Sequence, residues 1–140
     1  MFQRRATRLH ACVLFLAVLP VSAEAIELCK GGNRAERKLT CLVDGDTGWE
    51  RGVKWRLKGV DTPEYPANAE CGRETEFAKS ATYRMLDLMS GGYSVEWLGD
   101  DDGSRELVRI RLVDRRDAGD VLLSEGHAVL WSHPQGIWCK

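Results

Sequence analysis

The stretch from Val43 to Glu64 constrains the fold most, because it places carboxylates between short apolar segments typical of β-strands. Four carboxylates lie where these segments end, and Arg56 lies inside one of them. The four are Asp44, Asp46, Asp61 and Glu64. Carboxylates beside apolar strands cost free energy unless a partner neutralises them. A hard cation bound by oxygen ligands is such a partner. The stretch therefore predicts a site for a metal ion and a phosphate.

Apolar periodicity divides the chain into short strands and two helices. Residues 53–59 alternate apolar and basic side chains, which predicts a strand with Arg56 on its polar face. Residues 74–89 repeat apolar side chains at helical spacing, and Gly91 follows them. Asp117 is predicted to cap a second, short helix. The order of elements predicts a small α+β domain, mainly β, whose five strands close into a barrel.

Other segments are assigned from their turn residues. Residues 60–72 contain two prolines and are predicted to be a loop. Residues 49–52 and 99–104 are predicted to be turns, the second one acidic. Four further short apolar segments are predicted to be strands: 39–43, 93–98, 106–113 and 127–131.

Residues 1–25 have the pattern of an export signal. Three arginines precede an apolar run of 11 residues at 11–21, and small residues follow it. The alternative is a membrane anchor, for which the run is too short. We expect a single domain over residues 26–140, periplasmic or secreted, monomeric and without membrane contact once the signal is removed.

The charge of that domain argues against a protein that coats nucleic acid without regard to sequence. The whole chain has 20 basic and 21 acidic residues. Without Arg4, Arg5, Arg8 and Glu24 it keeps 17 basic and 20 acidic residues, a formal charge of −3. Nonspecific binding of nucleic acid normally needs a basic face.

Four cysteines remain after the signal: Cys29, Cys41, Cys71 and Cys139. An even number in an exported chain indicates disulfides, and three pairings are possible. We favour Cys29–Cys41 and Cys71–Cys139, which tie down the N-terminal arm and the C-terminus. A zinc site is the alternative, but no CxxC or CxxxH spacing supports it.

The charged residues of the opening stretch can be given chemical roles. Asp46 and Asp61 each follow a predicted strand, so neighbouring strands bring both carboxylates to one end of the sheet. Thr62 precedes a proline, which favours an extended backbone and leaves its carbonyl free for a ligand. These oxygens suit calcium or magnesium. Glu64 lies close enough to act as a base, and Arg56 offers a planar fork of donors to a phosphate. Asp44 is predicted to cap the turn.

The motifs VDGDT, RLKGVDTPE and CGRE, in this order, resemble those of the thermonuclease (staphylococcal nuclease-like) family. The resemblance runs from about Leu39 to Trp131, and a final GIW at 136–138 is similar to the family's C-terminal tryptophan segment. It implies a five-stranded OB-fold barrel with flanking helices. It also implies a calcium-dependent nuclease, a phosphodiester hydrolase that cleaves DNA or RNA, with single-stranded chains as the expected substrate.

The resemblance also implies a role for individual residues. The metal ligands it implies are the carboxylates of Asp46 and Asp61 and the carbonyl of Thr62. Glu64 corresponds to the general base and Arg56 to the arginine that binds the phosphate. Arg105 follows the acidic turn at the spacing of the second arginine, with Arg109 and Arg111 as alternatives.

The chain departs from the family pattern at its C-terminal end. Trp131 and His133 lie where the family has tyrosines that stack on the nucleotide. Nine residues follow Trp131, so the C-terminal helix is expected to be shortened or absent. Together with the acidic turn, these departures keep two alternatives open. One is a nuclease-like domain that binds a phosphorylated ligand or a protein partner with little or no catalysis. The other is a disulfide-stabilised structural domain whose metal only stabilises the fold.

Overall fold

The computed structural model describes residues 25–140, which form a mixed α+β domain made mainly of strands. The predicted export signal lies outside the described residues, apart from Ala25. The elements, in chain order, are β1 (Cys41–Leu42), β2 (Thr47–Glu50), β3 (Val53–Leu57), β4 (Val60–Asp61), α1 (Gly72–Ser90), β5 (Tyr93–Asp101), β6 (Glu106–Leu112), α2 (Ala118–Ser124), β7 (Val129–Leu130) and a 3₁₀ turn (Ile137–Cys139).

Five strands form one sheet in the order β1-β2-β3-β6-β5, and β4 pairs with β7 in a separate two-stranded sheet. All pairs are antiparallel except β3 with β6. The predicted closure into a barrel is not seen within residues 25–140, because β1 and β5 do not pair. The N-terminal arm occupies the free edge of β1 instead, since Cys29 N–H donates to the Leu42 carbonyl and Leu42 N–H donates to the Glu27 carbonyl.

The core lies between the sheet and the two helices. Trp55 and Leu57 of β3 are buried beside Val108 and Ile110 of β6. The apolar face predicted for residues 53–59 is confirmed at Trp55 and Leu57, whereas Val53 is 43% exposed. Met85 of α1 also reaches the cluster. The two helices thus cover the face of the sheet that points away from solvent.

The ring of Trp55 lies directly over Gly48 in the neighbouring strand, where the two residues pair. A Cβ atom at position 48 would come within 2.3 Å of the Trp55 ring. Glycine is therefore required here for close approach of a buried ring to the backbone.

Helix α1 confirms the predicted segment 74–89, with one difference in its buried face. Phe77, which the periodicity places on that face, is 39% exposed and packs instead against Trp138, with 6.1 Å between ring centroids. The buried positions are Glu74, Ala78, Ala81, Thr82, Met85 and Met89. Phe77 therefore packs against the C-terminal segment, whereas the helix periodicity alone predicts that it packs against the core.

The predicted N-cap of α2 is confirmed, since an oxygen of Asp117 accepts the backbone N–H of Gly119 at 2.8 Å. Three predictions at strand level were wrong. Residues 49–50, predicted as part of a turn, belong to β2, so the turn is shorter. Residues 60–61, predicted as loop, form β4 and pair with β7, which lies about seventy positions later in the chain. Strand β5 continues to Asp101 rather than ending at residue 98, which shortens the predicted turn.

Both favoured disulfides are present, Cys29–Cys41 and Cys71–Cys139. As expected, the C-terminal helix is reduced, here to the 3₁₀ turn at Ile137–Cys139. None of the helices among residues 25–140 combines the length and the apolar character needed to cross a bilayer.

Candidate functional site

Asp46 and Arg56 form the buried centre of the site. Asp46 precedes β2 and is 2% exposed, and Arg56 lies in β3 opposite Thr47. One oxygen of Asp46 accepts from Arg56 Nη1 at 2.9 Å and from the Thr47 hydroxyl at 2.8 Å. The turn before β2 thus delivers its carboxylate to the arginine of the next strand.

Asp61 joins this centre through the other arm of the same guanidinium. Arg56 Nη2 donates to Asp61 Oδ1, so one arginine bridges two carboxylates. Thr62 follows, and its N–H and hydroxyl donate to the second oxygen of Asp46 at 2.8 and 3.1 Å. The structure therefore brings together Asp46, Arg56, Asp61 and Thr62, although the strands that precede the two aspartates, β1 and β3, are not neighbours as expected but are separated by β2. Thr62 reaches Asp46 through its N–H and hydroxyl, whereas the predicted ligand was its carbonyl. The pairing of β4 with β7 fixes where Asp61 emerges.

Glu64 and Asp44 lie at the edge of this centre, both half-buried. Asp44 caps the turn, since its Oδ1 accepts the N–H groups of Asp46 and Thr47 at 3.1 and 2.8 Å. Burial, with the charges of Asp46 and Glu64 adding to it, raises the pKa of Asp44 to about 7. Burial and the charges of Asp46 and Asp61 also raise the pKa of Glu64. Raised pKa values favour the neutral forms of these two groups, whereas Asp46 and Asp61 set two carboxylates against the single guanidinium of Arg56, one acidic group more than that cation can balance.

That excess charge bears on whether a calcium ion fits the site. The donors near Arg56 are carboxylate, hydroxyl and backbone groups without sulfur, which is the chemistry of a hard cation. Within residues 25–140, no group of three or more His, Cys, Asp or Glu side chains is arranged to hold a metal ion. A calcium ion here would use two carboxylates, Asp46 and Asp61, with backbone and water oxygens completing its ligands. The residues fit such an ion in chemical type, while in this structure the oxygens of Asp46 and Asp61 accept hydrogen bonds from Arg56, Thr62 and His133.

Arg105 reaches the site through Thr47. Its Nη1 donates to the Thr47 hydroxyl at 3.3 Å, and that hydroxyl in turn donates to Asp46. Arg109 lies elsewhere, with its Nη1 at 3.6 Å from Asp117, and Arg111 donates to Glu96. Of the three candidate arginines, the structure thus places Arg105 nearest to the buried centre.

Two residues of the C-terminal segment also reach the centre, Trp131 and His133, and the sequence did not predict their contacts with Arg56 and Asp61. The Nε2 atom of His133 lies 2.8 Å from the second oxygen of Asp61, and this hydrogen bond raises the pKa of the imidazole. The Trp131 ring lies over the Arg56 guanidinium at 5.1 Å. Their signal in the sequence is that they lie at the end of the last predicted strand, where the resemblance implies tyrosines that stack on the nucleotide.

Glu74 is the third residue that sequence reasoning missed as part of the site. The sequence assigns it to the first turn of α1, where a carboxylate suits the helix dipole. In the structure it is 5% exposed and bonds to the loop that carries Glu64. Its presence in the CGRE motif is the signal that could have found it.

No protein-family model matches this chain, and no curated protein matches it at a significant level. The motifs and the geometry of the site are therefore what a functional proposal stands on.

Proposed function

We propose that this chain is an exported, calcium-dependent phosphodiesterase of the thermonuclease family that hydrolyses single-stranded DNA or RNA. The observation that carries the proposal is the convergence of Asp46, Asp61 and Arg56, with Glu64 at the rim. A structural domain has no need to bury two carboxylates around one guanidinium, because such a cluster costs desolvation. The two disulfides support export.

We further propose that the sheet is an OB-fold barrel left open on one side. The OB-fold is a five-stranded, partly open Greek-key barrel whose surface and loops bind oligonucleotides. Here β6 lies between β3 and β5, so the strand order departs from chain order as a Greek key requires. The edge of β1, on which the N-terminal arm lies, borders the opening.

The residues divide the proposed reaction among them. Arg56 holds the scissile phosphate with its planar fork of donors. Glu64 takes the proton from the attacking water. Arg105 stabilises the charge that grows on the equatorial oxygens. The chemistry that a bound calcium ion supplies is neutralisation and polarisation of the phosphate, with Asp46, Asp61 and Thr62 as its ligands.

A second candidate is a domain that binds a phosphorylated ligand without cleaving it. The observation that favours it is the C-terminal segment, which lies on the two groups that a substrate and a metal need. Trp131 covers Arg56, and His133 bonds to Asp61. A segment in that place competes with a phosphate for Arg56 and with a metal ion for Asp61.

Cleavage assays separate the two candidates. The purified protein is incubated with single-stranded DNA and with RNA, in calcium and in chelator, beside Glu64→Ser. Cleavage in calcium that Glu64→Ser lowers far more than it lowers substrate binding supports the nuclease. A matched control is Glu76→Ser, since Glu76 is exposed and pairs with Lys79. Substrate binding without cleavage in any condition identifies the binding domain and refutes the nuclease.

A further inference from the structure

The Glu74 carboxylate ties together the two ends of a surface loop. Its Oε1 accepts the backbone N–H of Glu64 at 3.1 Å, and its Oε2 accepts that of Glu70 at 2.7 Å. A carboxylate accepts backbone N–H groups more strongly than a neutral side chain does. One buried side chain thus bonds to both ends of residues 64–70, next to Thr62 and Pro63, which are buried where the loop begins.

The loop itself contributes little that would hold it in place. Its middle, residues 66–68, is exposed, and its internal bonds run from the N–H groups of Asn68 and Ala69 to the Tyr65 carbonyl, each at 2.9 Å. A turn of this kind fixes its own shape but not its position relative to the core. The Glu74 carboxylate supplies that second constraint.

Helix α1 gives Glu74 a rigid base. Ala78, Ala81 and Met85, on the same face, are fully buried in the domain. Cys71 precedes the helix and joins it to Cys139. The position of Glu74 is therefore set by core packing, and the loop takes its position from Glu74.

Helix stability alone does not explain this arrangement. A carboxylate in the first helical turn suits the dipole while exposed, as a solvated side chain. Burying it costs desolvation, which is recovered only through its hydrogen bonds. Within residues 25–140, no Lys, Arg or His side chain forms a salt bridge with Glu74, so the two loop N–H groups are its partners.

We propose that Glu74 is a positioning residue that fixes Glu64 beside the Asp46–Arg56–Asp61 centre. The inference rests on the proposed function for its catalytic meaning, because it assigns to Glu74 the placement of the general base. Turnover then also depends on Glu74, a residue that contacts neither the metal nor the phosphate.

The test compares Glu74→Ala and Glu74→Gln with Thr82→Ala. Thr82 is a matched control because it is buried in the same helix and its hydroxyl bonds to the Ala78 carbonyl, away from the loop. Amide exchange is measured at Glu64, Glu70 and the helix residue Met85, and kcat, KM and the calcium midpoint are measured with single-stranded DNA.

We expect Glu74→Ala to speed exchange at Glu64 and Glu70 by about tenfold or more while Met85 stays protected. Its kcat falls by about 10- to 100-fold, the cost of a misplaced catalytic group, with KM and the calcium midpoint nearly unchanged. Glu74→Gln keeps one carbonyl acceptor, so its exchange rates and its kcat should lie between those of the wild-type protein and of Glu74→Ala. Thr82→Ala loses stability without either effect.

Two results overturn the inference. The first is loop exchange in Glu74→Ala no faster than in Thr82→Ala. The second is faster loop exchange with unchanged kcat, which leaves Glu74 a structural role alone. If the wild-type protein cleaves nothing, the proposed function fails by itself, and the exchange rates at Glu64 and Glu70 still decide whether Glu74 fixes the loop.

Discussion

At the scale of single residues, Arg56 is what allows two aspartates to be buried side by side. Its Nη1 and Nη2 atoms reach Asp46 and Asp61 separately, and its side chain is 9% exposed. A lysine offers one point charge and no fork, so it cannot meet both carboxylates in the same way. The arginine thus has a structural role besides the phosphate contact proposed for it.

Arg56→Ala is therefore expected to lower the free energy of unfolding by about 3–5 kcal/mol, the cost of leaving buried charges uncompensated. Calcium at saturating concentration should restore part of this loss, because the ion replaces the missing positive charge. Urea unfolding with calcium and with chelator measures both effects. Arg51→Ala, at an exposed arginine in the β2–β3 turn, should change stability by less than about 0.5 kcal/mol. Equal losses in the two variants would contradict the bridging role.

Gly48→Ala is expected to destabilise the core by about 1–3 kcal/mol, because its new methyl group overlaps the buried Trp55 ring. Thermal unfolding, followed by the near-ultraviolet circular dichroism of tryptophan, measures the effect. Gly72→Ala is the control, since a Cβ atom there meets nothing within 4 Å. The clash is refuted if Gly48→Ala unfolds at the same temperature as Gly72→Ala.

At the scale of elements, the acidic turn between β5 and β6 has a role that its acidic composition does not predict. The sequence marks residues 100–102 as a solvated turn that repels a phosphate chain. In the structure Asp102 accepts the backbone N–H of Arg105 at 3.0 Å and its Nε at 2.8 Å. Asp100 Oδ2 accepts a hydrogen bond from Lys58 Nζ at 2.9 Å. The turn thus orients the arginine that points toward Thr47.

This contact makes a prediction about pH. The hydrogen bond from the Arg105 side chain lowers the pKa of Asp102 to about 2, from an ordinary 3.8. A depressed pKa means that the pair stabilises the folded protein above pH 3.8 and loses this contribution as the pH falls through about 2. Carboxyl-detected NMR should find the Asp102 midpoint near 2 in the wild-type protein.

In Arg105→Ala the Asp102 midpoint should rise toward 3.8. Lys58→Ala removes a neighbouring cation that pairs with Asp100 and should leave the Asp102 midpoint where it is. The pairing of Asp102 with Arg105 is wrong if both variants shift the midpoint alike.

Comparing elements also explains what the sequence could predict. Strands β3 and β6, helix α1 and the Asp117 cap follow local patterns, and the structure has all of them. The pairing of β4 with β7 depends on residues far apart in the chain, and no local pattern encodes it. The same holds for the arm that fills the edge of β1.

The residues of the site also divide into those that a local pattern predicts and those that it does not. Asp46, Arg56 and Asp61 belong to one continuous motif, so their spacing predicts that they meet. His133 and Glu74 reach the site only through tertiary packing, one from the C-terminal segment and one from a helix. Their chemistry in the sequence, a histidine near a chain end and a first-turn glutamate, has commoner structural explanations.

At the scale of the whole molecule, two disulfides hold the ends of the domain against its body. Cys29–Cys41 joins residues 12 positions apart and fixes the arm along β1, whereas Cys71–Cys139 joins residues 68 positions apart. The second bond holds the segment of Trp131 and His133 close to α1. The C-terminal segment that covers the site is thus held by a covalent bond at Cys139.

The two bonds are expected to contribute unequally to stability. In the chain-entropy model the loss is about 3 kcal/mol for replacing both Cys29 and Cys41 by serine and about 4 kcal/mol for Cys71 and Cys139, because the longer loop leaves the unfolded chain more freedom. Urea unfolding of the two double variants measures the difference. A larger loss for the Cys29–Cys41 pair would show that fixing the arm on the sheet edge, rather than loop length, dominates.

The parallel pairing of β3 with β6 sets the moment at which the site is assembled during synthesis. Trp55 pairs with Glu106, so a nascent chain that ends after α1 carries Asp46, Arg56 and Glu64 without the strand that supports β3. Contacts between distant segments form late, because closing the intervening loop costs entropy. The site is therefore expected to be complete only after β6 has joined the sheet.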